Sequence, residues 1–453
     1  MTASYTRQAL LVVFLALVFF LVVTALLVSA AGGEEQRSRL LPASGDQHGL
    51  TAGYLPAGLG CGKGASRSEN PWESRSRSFR SRRRGRDVEP VARYNRVEGL
   101  FLGIQLPREE GLVRDVYHLL LWGDGGYGFS SKAWRYQLGL ERWFRVGDES
   151  RDPLLRFAIG GEVHDLTETQ DEWIIPTLEN SLAALFLRED FQDYYRRTGA
   201  SGYLEQKVLG RVTFRAEYRD DRYYNMPADP EKRKATDWSV FGGKKRFRPN
   251  PLIEEGQLRG AIAQLIVDTR DDREAPDEGW LVQASAEFYG SQMKSDYEFD
   301  RFILDLRRYQ PLSYAENLDL RLRLGTGRCR LPEQFLFDLG GIGSLRGYRF
   351  KELTGDRFFL ANAEYRLRPG ERDFPSLFDG VNLILFFDAG AAWFARNPSR
   401  PEKGWKELTV SRLRSDVGIA LSDRRGRVRV SFAKRTDSRA APVVVTFRLN
   451  REF

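Results

Sequence analysis

NLDLRLRLG, residues 317–325, sets Leu318, Leu320, Leu322 and Leu324 against Asp319, Arg321 and Arg323. A period of two puts every leucine on one face of a β-strand and every charge on the other. The alternation returns in RVRVSFAKR (427–435), where Val428, Val430 and Phe432 oppose Arg427, Arg429 and Ser431. It returns again at the end of the chain in VVVTFRLNREF (443–453), with Val443, Val445, Phe447, Leu449 and Phe453 against Thr446, Arg448, Asn450 and Glu452. A soluble sandwich would bury the apolar faces and leave the charged ones in water, so alternation alone does not choose the solvent.

The N-terminus makes that choice. After Arg7 runs ALLVVFLALVFFLVVTALLVSAA, ending in small residues that permit cleavage after Ala30 or Ala31. Residues 1–31 read as a secretory signal; the run is also long enough to span a bilayer, and a retained inner-membrane anchor is the alternative. In either case the remainder is exported. Residues 32–92 lack any period and include SRSRSFRSRRRGR, with seven arginines between Arg75 and Arg86, which reads as a disordered linker. The arginine run is either a solvated spacer or a docking segment for anionic lipid headgroups. Cys61, in GLGCGKG, stands too far past the apolar run, and without a leucine three residues before it, to be a lipoprotein cysteine.

Composition removes several function classes. Two cysteines (Cys61, Cys329) and three histidines (His48, His118, His164) in 453 residues leave neither a disulfide framework nor a clustered metal site, and no metal or cofactor is expected. The net charge of +8 is spread through alternating segments instead of gathered on one helix, which argues against nucleic acid as a partner. Acyl hydrolysis would need a Ser–His pair, and His118 and His164 fall in strand patterns without a nucleophile motif, so no enzyme is expected.

Strands of about ten residues, apolar outward and polar inward, joined alternately by short turns and long loops, define a transmembrane antiparallel β-barrel. The expected fold is all-β over residues 93–453. The pattern marks about fifteen strands, near 96–106, 115–128, 132–146, 153–165, 204–219, 236–247, 258–270, 280–291, 299–311, 316–328, 357–368, 381–394, 412–423, 426–435 and 442–453. Bacterial single-chain barrels use even numbers, so sixteen are expected. SDRRGR (422–427) and PLSYAEN (311–317) suit short periplasmic turns, and 329–356 suits a long outer loop. One segment, 177–198, carries helical spacing with Leu178, Leu182, Leu185 and Phe186 on one face. It reads as a helical insertion that packs across a barrel mouth or binds a partner.

The loop 329–356 contains GGIGSLRGYRF, Gly340 to Phe350. Its Leu345-Arg346-Gly347-Tyr348 resembles the Val-Arg-Gly-Phe/Tyr motif of the bacterial surface antigen superfamily, the outer-membrane assembly barrels of BamA and TamA type and the two-partner-secretion pores. LANAEYRLRP (360–369), FFDAG (386–390) and VDTRDDREAPDEGW (267–280) are similar to the family's flanking strands and periplasmic turn, so the resemblance covers 258–453. It implies a loop folded back into the lumen, with Arg346 anchored by Asp388 and assisted by Glu364. A guanidinium held there stays charged and needs such partners. Gly340, Gly341 and Gly343 would let the loop reverse, and Gly347 would bring its backbone against the wall.

The resemblance further implies an outer-membrane location, contact with lipid and lipopolysaccharide, and delivery by the barrel assembly machinery through a C-terminal signal at Phe447, Leu449 and Phe453. No periodicity of the family's periplasmic POTRA modules is found in 32–92, so a barrel-only member is expected. Two functions remain open: a barrel that inserts or translocates client proteins, with or without a separate periplasmic partner, and a structural or pore-forming barrel without clients.

Overall fold

A computed structural model describes residues 88–108, 117–146, 155–226, 241, 245–368 and 380–453. The segments read as signal (1–31) and, up to residue 87, as linker lie outside the described residues. Sixteen strands form one antiparallel sheet in which each pairs with the next along the chain: β1 (Glu89–Asn95), β2 (Gly99–Leu106), β3 (Tyr117–Gly128), β4 (Ala133–Val146), β5 (Leu155–Glu168), β6 (Tyr195–Val208), β7 (Val212–Asn225), β8 (Gly256–Asp268), β9 (Gly279–Tyr289), β10 (Phe299–Pro311), β11 (Glu316–Arg328), β14 (Arg357–Leu367), β15 (Val381–Trp393), β16 (Arg414–Asp423), β17 (Arg429–Arg435) and β18 (Val444–Arg448). The remaining two, β12 (Phe337–Leu339) and β13 (Leu353–Gly355), pair with each other inside the long loop between β11 and β14. A helix, α1 (Thr177–Leu187), lies in the connection from β5 to β6.

The wall carries its polarity inside out. On β11 Asp319, Arg321 and Arg323 are buried and Leu320 is exposed; on β17 Arg429 and Ser431 are buried and Phe432 is exposed. The buried charges compensate one another across strands. Asp305 of β10 takes Arg321 at 2.6 Å and both Arg323 and Arg307 at 3.1 Å. Asp221 of β7 takes Arg197 at 2.6 Å and His164 at 2.9 Å. On the outer face Leu100, Leu102, Ile104, Leu138, Leu140, Ile419, Leu421 and Val445 are all exposed. Water would make this arrangement costly on the outside, and hydrocarbon makes it favourable, because the strands satisfy their backbone polar groups within the sheet. Trp134 near the loop end of β4 and Trp280 near the turn end of β9 stand exposed on that outer face, where aromatic girdles meet the two bilayer interfaces.

Four expectations are corrected. The single strand expected at 204–219 is the hairpin of β6 and β7, whose turn holds Leu209 at φ 51° and Gly210 at φ 64°. These are the central residues of the turn closed by the Arg211 N–H on the Val208 carbonyl, and both have positive φ, but a leucine in place of the usual Asn or Asp hides the signal. The strand expected at 236–247 is not formed over 245–247, which is irregular; of the rest only Phe241 is described, also outside any strand. The missed strand is β1, which begins at Glu89, inside the span read as linker; its EPVARYN alternates weakly and contains a proline. The terminal strand stops at Arg448, not at Phe453.

The helix also differs from its reading. It ends at Leu187, with Arg188 in the left-handed region at φ 54°, and the chain re-enters the wall at Tyr195. Asp190 explains the stop, since its carboxylate accepts from Asn180 at 2.9 Å, from Tyr194 at 3.1 Å and from the backbone of Arg96 at 2.9 Å, fixing a non-helical turn. The face that is buried holds Glu179, Asn180, Ser181 and Ala184 and not the leucine stripe, of which Leu185 packs beside Tyr94 while Leu178 and Phe186 stay exposed.

Leu322 lies on the outer face, one residue from Arg323 on the inner. Leu322→Arg is expected to lower the unfolding free energy in lipid vesicles by about 2–4 kcal/mol if the site is near the bilayer midplane. Arg323→Leu is expected to escape that lipid penalty, because Asp305 keeps Arg321 and Arg307. Denaturant titrations of the two variants, in vesicles, check the difference.

Candidate functional site

The connection from β11 to β14 turns back between the walls. Gly340, Gly341 and Gly343 take φ of 122°, 81° and 79°, conformations that side chains rarely adopt. A Cβ on Gly340 would come within 2.3 Å of the Arg349 carbonyl oxygen, and one on Gly343 within 2.5 Å of that of Ile174. The reversal is held by the N–H of Gly341, donated to the Leu345 carbonyl at 2.8 Å, and that of Gly340, donated to Ser344 Oγ at 2.9 Å. Residues 341–348 are buried throughout.

Arg346 is at the centre of what the loop meets. Its Nε and Nη2 donate to the two oxygens of Asp388 at 2.6 and 2.7 Å, and Nη1 donates to Glu364 at 2.6 Å. The guanidinium lies 3.5 Å from the centroid of the Phe386 ring. Register explains the convergence: Asn362 of β14 is paired with Asp388 of β15, and Asp388 with Asp416 of β16, so all three are neighbours on the inner face. Glu364 follows two residues after Asn362 on the same face. Asn362 donates to Asp388 at 2.8 Å and to the Ser344 carbonyl at 2.9 Å, linking carboxylate to loop backbone. Glu364 also accepts a fork from Arg429 of β17 at 2.9 and 2.8 Å. Two guanidiniums and two carboxylates therefore alternate across three strands and the loop.

The neighbours of Arg346 complete the seating. A Cβ on Gly347 would come within 2.8 Å of Asp416 Cβ and 3.0 Å of the Arg435 nitrogen, so the backbone there lies directly on the wall. The Tyr348 hydroxyl donates to the Ser415 carbonyl at 3.1 Å, and the Arg435 guanidinium covers its ring at 4.1 Å. Leu345 enters a buried cluster with Tyr289, Phe299, Phe335, Phe337 and Phe358, which fills the lumen beside the loop. At the loop's base Lys351 meets Asp171 at 2.8 Å, Asp193 at 2.7 Å and Asp338 at 3.3 Å. Burial disfavours these charges, yet Lys351, with Arg248 and Arg96, holds the Asp193 carboxyl down at about 2. Burial likewise lowers Lys351, but the three carboxylates raise it above the usual lysine range.

The chain's end joins the same network. Beyond β18 it folds inward, and Glu452 accepts the N–H of Gly343 at 2.8 Å and Arg448 at 3.2 Å. Phe447 is 53% exposed on the outer face, Leu449 is half-buried, and Phe453 is only 9% exposed. The outward position expected of Phe453 is thus corrected, because the strand ends before its alternation reaches that residue. Sequence reasoning placed Arg429 and Glu452 on the charged face without giving them a role, and it passed over Asn362 and Phe386. Each has inward parity on a strand or terminus that the pattern marked, but parity names a face and not a partner.

Chemically the arrangement is a clamp: charge-assisted hydrogen bonds from a loop to two wall strands, β14 and β15, and through Glu364 to a third, β17. A sixteen-stranded transmembrane barrel with a long loop clamped inside its lumen is the class that fold and site define. Within that class the chain belongs to the Omp85 superfamily, whose domain model matches residues 180–450. Residues 71–238 also match the C-terminal domain of a family of unknown function, DUF5686. The outer membrane protein assembly factor BamA of Nitratidesulfovibrio vulgaris is 26% identical over 256 residues, which are 52% of this chain and 29% of that protein's length. Among solved structures, BamA from Haemophilus ducreyi lacking POTRA domains 1–3 is similar at 16% identity and a TM-score of 0.48, over 79% of this chain and 67% of that one. CdiB from Acinetobacter baumannii is similar at 11% identity and a TM-score of 0.37, over 80% and 58%.

Asp388→Asn keeps the side chain's shape but turns one of the two accepting oxygens into an NH2 donor and removes one of the two charges that face Arg346. It is expected to loosen the loop in a barrel that is still folded, so that trypsin cuts at Arg346 and Arg349 several times faster. Limited proteolysis of heat-modifiable protein in vesicles measures this. Cleavage at the wild-type rate would show that the loop is held elsewhere.

Proposed function

We propose that this protein is an outer-membrane barrel that inserts or translocates other proteins, and that it is not an enzyme. The observation that carries the reading is the wall's seam: the sheet has two ends, β1 and β18, with no strand pairing between them among the described residues. A sheet end can receive an extended segment by strand addition, with main-chain hydrogen bonds giving affinity and alternate side chains giving specificity. Membership of the Omp85 superfamily and similarity to a protein named as an assembly factor support the same reading.

In this reading the Arg346 clamp keeps the loop seated in the lumen and stiffens β14 to β17, the strands beside the seam. Residues 1–31 direct export, and 32–88 connect that signal to the barrel. Phe447, Leu449 and Phe453 form the C-terminal signal by which the barrel assembly machinery receives this chain. Lipid and lipopolysaccharide are the standing partners of the outer face, and client outer-membrane proteins, with or without a separate periplasmic partner, are the transient ones.

Depletion tests the proposal. Loss of this protein is expected to lower the amount of other heat-modifiable barrels in the outer-membrane fraction, measured by quantitative proteomics before growth slows. Undiminished levels of every other barrel would overturn client handling and leave a structural barrel.

A further inference from the structure

The gap between the sheet's two ends is not empty, because α1 stands in it. On one side Ser181 Oγ accepts the backbone N–H of Tyr94 in β1 at 3.1 Å, and Tyr94 packs on Ala184, Leu185 and Phe247. On the other side Glu179 accepts the N–H of Leu449 at 2.8 Å, Arg448 Nε at 2.9 Å and Asn450 Nδ2 at 3.3 Å. One turn of helix thus bonds to both terminal strands.

Its polarity matches the wall it interrupts. Glu179, Asn180 and Ser181 are buried, whereas Leu178 and Phe186, on one side of the helix, are 48% and 37% exposed. A surface helix in water shows the opposite order. Leu100 and Leu102 of β2 are exposed in the same way, apolar outward and polar inward, so the occupant that fits the exposed stripe is the acyl region of the bilayer.

The two attachments are unequal. Toward β1, Asn180 donates to Asp190 at 2.9 Å, and Asp190 accepts the Arg96 N–H at 2.9 Å. The Arg96 guanidinium, in the turn after β1, adds Asp193 at 2.7 Å and Asn250 at 2.9 Å. Toward β18 the attachment rests on the single carboxylate of Glu179. Its partner Arg448 also bonds Glu452, which accepts the N–H of Gly343 in the lumen loop.

We propose that α1 is a latch in the barrel wall: it closes the seam as a lipid-facing element, and the seam opens when β18 parts from α1 at Glu179 while α1 stays with β1. The contact chain Gly343–Glu452–Arg448–Glu179 makes the lumen loop a neighbour of the latch, so a shift of the loop reaches it through Arg448 and its two carboxylate partners. This rests on the seam of the function proposed above. Its test reads the seam itself and not client assembly, so the two can fail separately.

The full chain is refolded in phosphatidylcholine vesicles and followed by hydrogen exchange as wild type, Glu179→Gln and Glu179→Asp. In Glu179→Gln the amides of 444–450 are expected to exchange about tenfold faster, the factor that goes with losing a hydrogen bond to a charged group. Those of β8 to β11 and of the turn at 95–99 are expected to keep their wild-type rates, and Glu179→Asp to fall between. Wild-type exchange at 444–450 would overturn the latch, and so would an increase spread evenly over the barrel. A second measurement leaves Glu179 in place: a nitroxide on Leu178→Cys, with Cys61 and Cys329 replaced by serine, is expected to collide more with oxygen than with a water-soluble nickel complex. The reverse preference would put α1 in water and overturn its place in the wall.

Discussion

A guanidinium taken out of water keeps its charge, and the lumen must supply what water no longer does. At Arg346 it supplies both oxygens of Asp388, one oxygen of Glu364 and the face of Phe386. Removing one partner of such a buried pair costs about 3–5 kcal/mol, because the remaining charge stays uncompensated. That asymmetry fixes the loop. Every wall strand that contributes, β14 and β15 directly and β17 through Arg429, is held at the spacing the guanidinium requires. The three glycines before it exist to deliver one side chain to this place.

The same constraint repeats at lower stakes around the lumen, at Asp305 with three arginines and at Asp221 with Arg197 and His164. A wall with this interior needs an apolar exterior to be stable, and the exposed leucines and isoleucines of β2, β4 and β16 provide it only against hydrocarbon. Where the sheet ends, the rule still applies. The helix α1 turns Glu179, Asn180 and Ser181 inward and Leu178 and Phe186 outward, as the strands on either side do with their polar and apolar residues.

How much of this was legible depends on the range of the interaction. The period of two in 317–325 and 427–435 is a local signal, and it located most of the wall and both of its faces. LRGY and FFDAG, 38 residues apart from Tyr348 to Phe386, were legible as a pair only through resemblance, since nothing local in either says that they meet. The β6–β7 hairpin was hidden because Leu209 occupies a positive-φ turn position that Asn or Asp usually marks. The helix stripe at Leu178, Leu182, Leu185 and Phe186 was legible as a stripe, but its direction was not: a period gives two faces and does not say which is wet. Glu179 and Glu452 were illegible for a further reason, as their partners lie 269 and 109 residues away.

The seating of the lumen loop depends on Arg346 and Asp388 acting as one unit. A double-mutant cycle of Arg346→Gln and Asp388→Asn, by equilibrium unfolding in phosphatidylcholine vesicles, measures their coupling directly. A favourable coupling toward the upper end of the usual range of about 0.5–3 kcal/mol is expected, with the double variant little worse than the poorer single one. Additive effects, with coupling near zero, would contradict it.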